Sequence, residues 1–224
     1  MHSLPQLRTG PAIVKLNTHE LMPWLKTVPR LSFAALALLF VLIDVRAGAQ
    51  ATRPPDYGLD LHGQSIRDLA GPGVQIVALF FAATDCPISN RYVPEIKRLT
   101  QKYGPQGVRF WWVYPNASDT AQAVADHNRE YSINGDTILD VRQSLVQRAH
   151  ATTTPEAAIF AVKGGDLREI YHGRIDDRYI DIGQERPQPQ HFDLETAIFT
   201  ALAAETVPQP GGPTVGCSIV FLHK

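Results

Sequence analysis

The sequence predicts an α/β domain built on a central mixed sheet flanked by helices, and three patterns carry that prediction. Residues 75–82 (QIVALFFA) form a nearly continuous apolar run, the pattern of a strand covered on both faces. The segment that follows, 87–103, places Ile88, Tyr92, Val93, Ile96, Leu99 and Tyr103 at helical spacing. Further on, two apolar stretches, 157–162 and 167–172, flank a turn containing Gly164 and Gly165, which reads as an antiparallel hairpin.

The remaining elements follow in order. Residues 57–61 alternate apolar and polar side chains before His62-Gly63, as in a short hairpin leading to Ile66 and Leu69. Pro87 fits the first turn of the long helix, where its missing N–H costs nothing, and Pro94 predicts a kink within it. A second strand is expected over 108–114 (VRFWWVY), with Trp111 and Trp112 on opposite faces. A second helix is expected over 119–131, capped by Ser118 or Asp119, and a short third one over 141–150. Residues 152–155 break the pattern, and an amphipathic helix over 193–204 closes the domain. Strand, helix, strand in succession requires right-handed parallel crossovers, so the sheet is parallel at first and antiparallel at its later edge.

The N-terminus reads as an address. Residues 31–43 (LSFAALALLFVLI) are an apolar run of 13, preceded by Lys26 and Arg30 and followed by Ala47-Gly48-Ala49. That is too short to span a bilayer, and A-x-A is what signal peptidases cleave, so residues 1–49 are expected to be a signal peptide, with Met22 a possible true start. Residues 50–56 then form a linker, 57–205 the folded domain, and 206–224 a Pro/Gly-rich tail carrying Cys217. The expected location is exported, periplasmic or extracellular, with no stable membrane insertion after cleavage. The whole chain has 21 basic and 22 acidic residues, a balance that argues against nucleic acid as a partner. Two cysteines exclude a disulfide scaffold or a four-cysteine zinc site. They are buried small residues, a single bridge, or working thiols.

Cys86 stands between the apolar strand and the helix that opens at Pro87, in the string FFAATDCPIS. A thiol at a helix N-terminus sits at the positive end of the helix dipole, which favours the nucleophilic thiolate. Asp85 beside it acts in the opposite sense by like charge. With residues 57–71 as lead-in, 81–89 as the turn and Thr154-Pro155 before the later strand, the chain resembles the thioredoxin superfamily, in particular exported redoxin and peroxiredoxin-like domain proteins, over most of residues 56–204. The strings 173–179 (GRIDDRY) and 215–219 (VGCSI) resemble one bacterial branch of redoxin-domain proteins.

The resemblance implies a thioredoxin-like fold and a thiol oxidoreductase with Cys86 as attacking thiol. It also implies a cis bond at Thr154-Pro155 facing Cys86, with Thr154, Pro155 and Ser89 on the substrate side. The chain departs from the pattern twice. Ser89 replaces the second cysteine of a C-x-x-C, so Cys86 cannot close a bridge within the turn. Ala83 stands where peroxiredoxins have a threonine, with Thr84 one residue off, which counts against peroxide reduction as an antioxidant activity. Cys217, 131 residues beyond Cys86, remains open as resolving thiol, structural bridge or intermolecular partner. The implied partners are protein thiols or disulfides, or a peroxide, with an external thiol reductant and no cofactor. The competing class is a redox-quiet binding module, gripping a metal through Cys86 and a histidine. Two further residues are candidates for supporting roles: His127 as a proton shuttle or a solvated helix side chain, and Arg174 as an anion stabiliser or part of a surface ion-pair network with Asp176, Asp177 and Arg178.

Overall fold

The computed structural model describes residues 56–209 and 212–222. The proposed leader therefore lies outside the described residues, as does nearly all of the linker. Among the described residues no helix is long and apolar enough to cross a membrane.

The sheet has five strands: β1 (Ile76–Phe81), β2 (Val108–Tyr114), β3 (Asp136–Leu139), β5 (Glu156–Lys163) and β6 (Asp166–Gly173), in the spatial order β3-β2-β1-β5-β6. β1 pairs in parallel with β2, and β2 with β3, whereas β5 runs antiparallel to β1 and to β6. The first crossover is helix α1 (Pro87–Tyr103), with Pro94 inside it; the second is α2 (Ala121–Glu130). A five-residue helix, α3 (Ser144–Arg148), follows β3, and α4 (Asp193–Leu202) lies near the C-terminal end.

Every residue of β1 is buried because both sheet faces are covered. Ile76, Ala78 and Phe80 point to the face that packs Ile96 and Leu99 of α1, Val124 of α2 and Ile198 of α4. Val77, Leu79 and Phe81 point to the other face, with Leu145 and Val146 of α3, Leu69 of the lead-in and Ile219 of the tail. Trp111 and Trp112 divide between the two faces as the strand period requires, and both are buried.

Four features of the structure depart from or add to the sequence reading. The strand β3 was not anticipated: it is four residues long with only Ile138 and Leu139 apolar, too short for periodicity to register. The second helix is capped by Thr120, whose hydroxyl accepts from Ala123 N–H at 3.2 Å, because Asp119 is engaged elsewhere. The segment 179–185 forms a small hairpin, β7 (Tyr179–Asp181) with β8 (Gln184–Glu185). The tail is the fourth. It is held as a strand, β9 (Cys217–Ser218), antiparallel to the short strand β4 (Thr153–Thr154).

Candidate functional site

Cys86 is the N-cap of α1, and it is completely buried. Its position follows from β1 ending at Phe81 and Pro87 beginning the helix, so the turn between them delivers the sulfur to the C-terminal edge of the sheet. In the thiol form Cys86 Sγ donates to the carbonyl of Thr154 at 3.0 Å. The bond from Thr154 to Pro155 is cis. Glu156 organises the approach to it: its buried carboxylate accepts from Thr152 N–H at 2.9 Å and Thr153 N–H at 3.1 Å, with both threonine hydroxyls in reach.

The tail brings Cys217 to the same place. In the β4–β9 ladder Thr154 is paired with Cys217, and the Thr154 hydroxyl donates to the Cys217 carbonyl at 3.4 Å. Gly216 passes so close that a Cβ there would lie 2.2 Å from Thr154 O and 3.0 Å from Pro155 Cδ. Beyond the cysteine, Ile219 is buried in the core and its N–H donates to Thr152 O at 3.0 Å. The Gln143 side chain grips the end of the tail, donating to Val220 O at 2.7 Å and accepting from Leu222 N–H at 2.9 Å, while Asn116 accepts from Val220 N–H. The Pro/Gly-rich tail is thus a docked strand. The edge at Thr154, which the resemblance places on the substrate side, is already paired with the protein's own tail.

The two thiols interact. Burial pushes the Cys86 thiol up. That effect is outweighed by the hydrogen bonds its ionised sulfur accepts from the Cys217 thiol, then from the Ser89 N–H and hydroxyl, so that Cys86 lies below the ordinary thiol value of 9.0. The Cys217 thiol moves the other way, pushed up to about 12 by burial, by donating to Cys86 and by the negative charge of Cys86 and Asp85. The pair therefore ionises at Cys86 first. Asp85 is exposed, and its charge raises the Cys217 thiol.

Ser89 Oγ is buried without a hydrogen-bond partner while the Cys86 thiol donates to Thr154. Once Cys86 ionises, that hydroxyl has an acceptor. Ser89→Ala should slow alkylation of reduced Cys86 at pH 7 about tenfold, the scale of one hydrogen bond to a charged group. The sign follows from the lowered value in the fold: the thiolate is the favoured form above the ordinary thiol value, and its advantage is lost as pH falls through the folded one. The rate-versus-pH curve of the wild type should thus reach its plateau at a lower pH than that of Ser89→Ala, and coincident curves would show that the hydroxyl does not act on the sulfur.

The other candidates lie elsewhere. Thr84 donates its hydroxyl to Asp119 at 2.7 Å and its N–H at 3.0 Å, which fixes the turn before Cys86. Asp119 is buried, its other oxygen has no partner, and burial holds its carboxyl above the ordinary range. His127 is buried, not solvated: its ring spans Asn90 Oδ1 at 2.8 Å and the Tyr114 hydroxyl at 3.1 Å, and burial lowers its affinity for a proton. Asn90 in turn donates to Thr84 O, so the histidine braces the turn from behind. Arg174 pairs with Asp193 at 2.7 Å. Asp176 and Asp177 are buried, the first taking the Tyr92 hydroxyl and the second the N–H groups of Gln190 and His191, so this charged string is internal scaffolding. Among the described residues no group of three or more His, Cys, Asp or Glu is arranged to hold a metal ion.

Composition did not reveal the docking of the tail, although one signal was present. Val215, Cys217 and Ile219 alternate with Gly216 and Ser218, the period of a strand with one inward face.

No protein-family model matches the chain, and no curated protein matches it. Solved structures do. An uncharacterised conserved protein from Geobacillus kaustophilus is 22% identical, with a TM-score of 0.62 over 77% of this chain and 92% of its own. A hypothetical protein from Sinorhizobium meliloti 1021 is 21% identical, with a TM-score of 0.59 over 75% of this chain and 92% of its own. A secreted Mycobacterium tuberculosis disulfide oxidoreductase is 17% identical, with a TM-score of 0.41 over 50% of this chain and 80% of its own. Three parallel strands joined by helical crossovers, an antiparallel pair at the far edge, and a cysteine at the head of α1 facing Thr154-Pro155 make this a thioredoxin-like fold.

Proposed function

We propose that the chain is an exported thiol–disulfide oxidoreductase in which Cys86 and Cys217 form one redox pair across the Thr154-Pro155 segment. The observation that carries this reading is the docked tail: a strand ladder places Cys217 opposite Thr154, whose carbonyl accepts from Cys86. The pair supplies what the turn lacks, because Ser89 cannot resolve an attacked Cys86. In the reduced state Cys86 is the thiolate of the pair, held at the head of α1 by the Ser89 N–H and hydroxyl, and the bond it makes with Cys217 completes the exchange. Disulfide substrates are favoured over peroxides because the Thr84 hydroxyl is committed to Asp119. Export rests on the leader sequence in residues 1–49, followed by the linker and the domain beginning at Tyr57.

The test is a mass map after treatment with a small disulfide oxidant. The full chain should lose two hydrogens and yield one cross-linked peptide joining Cys86 to Cys217, and Cys86→Ser should abolish turnover of a dithiol substrate. Two thiols that stay free under oxidation would sink the proposal.

A further inference from the structure

The two sulfurs of the pair differ in access. Cys86 is completely buried, whereas Cys217 is partly exposed and forms part of the wall of a groove of about 470 Å³. The groove runs between the first turn of α1, through Pro87 and Ile88, and the β7–β8 hairpin, through Tyr179 and Ile182. Ile182 is 72% exposed, an unusual place for an isoleucine in a hairpin that is otherwise polar at its tip. The charged rim is self-neutralised: Arg91 and Glu185 pair at 2.6 Å.

We infer that an external thiol enters the oxidised pair at Cys217, from this groove, and that it belongs to an extended chain with uncharged apolar side chains beside its cysteine. The inference rests on the Cys86–Cys217 exchange proposed above and specifies its partner. A sulfur in the groove wall sets the reactive group of the occupant. Apolar walls set its flanking residues, the Arg91–Glu185 pair is closed on itself, and the Asp85 charge felt by Cys217 disfavours acidic flanks.

The chemistry balances. The partner thiolate attacks Cys217 Sγ, a bond forms between those two sulfurs, and the bond to Cys86 breaks with its electron pair left on Cys86. That sulfur is the better leaving group, being the one that Ser89 and the head of α1 stabilise. A second thiol of the partner, as thiolate, then attacks the partner's sulfur of the mixed disulfide. Cys217 leaves with the electron pair and takes a proton from water. The partner dithiol has become a disulfide, and the protein pair has been reduced to two thiols.

The experiment uses the oxidised full chain and two monothiol peptides, one with leucines flanking its cysteine and one with glutamates. Each reaction is quenched in acid at early times and the adduct located by peptide mapping. The adduct should sit on Cys217, and the leucine peptide should react about tenfold faster after correction for each peptide's rate with a small disulfide. Ile182→Glu should remove that preference while the thermal transition stays in place. An adduct on Cys86, or equal corrected rates, would overturn the inference while leaving the exchange reading intact. Failure of the chain to form the Cys86–Cys217 bond at all would instead overturn the exchange reading.

Discussion

Gly216→Ala should slow formation of the Cys86–Cys217 bond by about a hundredfold, the cost typical of displacing a reacting group by roughly an ångström. The added methyl would lie 2.2 Å from the Thr154 carbonyl oxygen and 2.7 Å from its carbon, distances that no Cβ contact sustains. Neither neighbour can yield. Thr154 is completely buried, and the preceding residues are fixed by the Glu156 carboxylate. The tail must therefore lift off at the residue next to Cys217, while Ile219 continues to anchor it in the core. The measurement is the rate of intramolecular bond formation in the reduced protein after one equivalent of a small disulfide. The expected companion result is little change in the thermal transition of the reduced protein, because the core does not depend on Gly216. A variant that closes the bond at the wild-type rate would show that the close approach has no bearing on the pair.

Asp140→Ala should lower stability by about 4 kcal/mol, the largest effect expected of any single side chain outside the apolar core. Asp140 is completely buried at the end of β3, and its carboxylate accepts three backbone N–H groups at the start of α3: Ser144 at 2.8 Å, Leu145 at 2.9 Å and Val146 at 3.0 Å. Truncation leaves all three without a partner at a site closed to water. Chemical denaturation with fluorescence from Trp111 and Trp112 reads the loss. A second consequence reaches the redox pair, since Gln143, which grips the tail at Val220 and Leu222, stands directly before α3 in a left-handed conformation at φ 54°. Bond formation between Cys86 and Cys217 should slow in step. A loss below about 1 kcal/mol would mean that solvent reaches the freed N–H groups.

The framework of the fold was legible where side-chain period and burial coincide. Residues 108–114 and 87–103 match β2 and α1, and the pair of glycines marks the turn between β5 and β6, because each signal there is local. β3 was not legible, since a four-residue strand at the sheet edge owes its existence to pairing with β2, and pairing leaves no trace in composition. The cap of α2 was misassigned for a related reason: Ser118, Asp119 and Thr120 are all competent caps, and the choice was made by Thr84, 35 residues away, taking Asp119. At the site, Cys86, Ser89, Thr154 and Pro155 could be named from the strand-to-helix turn and the resemblance, but their assembly with Cys217 could not. That assembly depends on Gln143, Asn116 and Gly216, three residues that in sequence look like ordinary turn and loop positions. His127 and Asp176 show the same blindness: polar residues on amphipathic or charged strings read as solvated, and only tertiary partners reveal them as interior.

The anchoring of the tail by Ile219, Gln143 and Asn116 uses neither sulfur, so it persists when the pair is reduced. The two thiols then meet at a high effective concentration fixed by the fold, instead of the dilute value a free tail would give. Thermodynamic linkage makes that advantage reciprocal. Whatever free energy the native packing lends to the sulfur–sulfur bond, the bond returns to the native state, because the unfolded chain must close the same loop unaided. The reduction potential of such a couple is a readout of tail packing: loosening Ile219 would raise it, and tightening the grip of Gln143 would lower it. Oxidation and folding strength rise together in this arrangement.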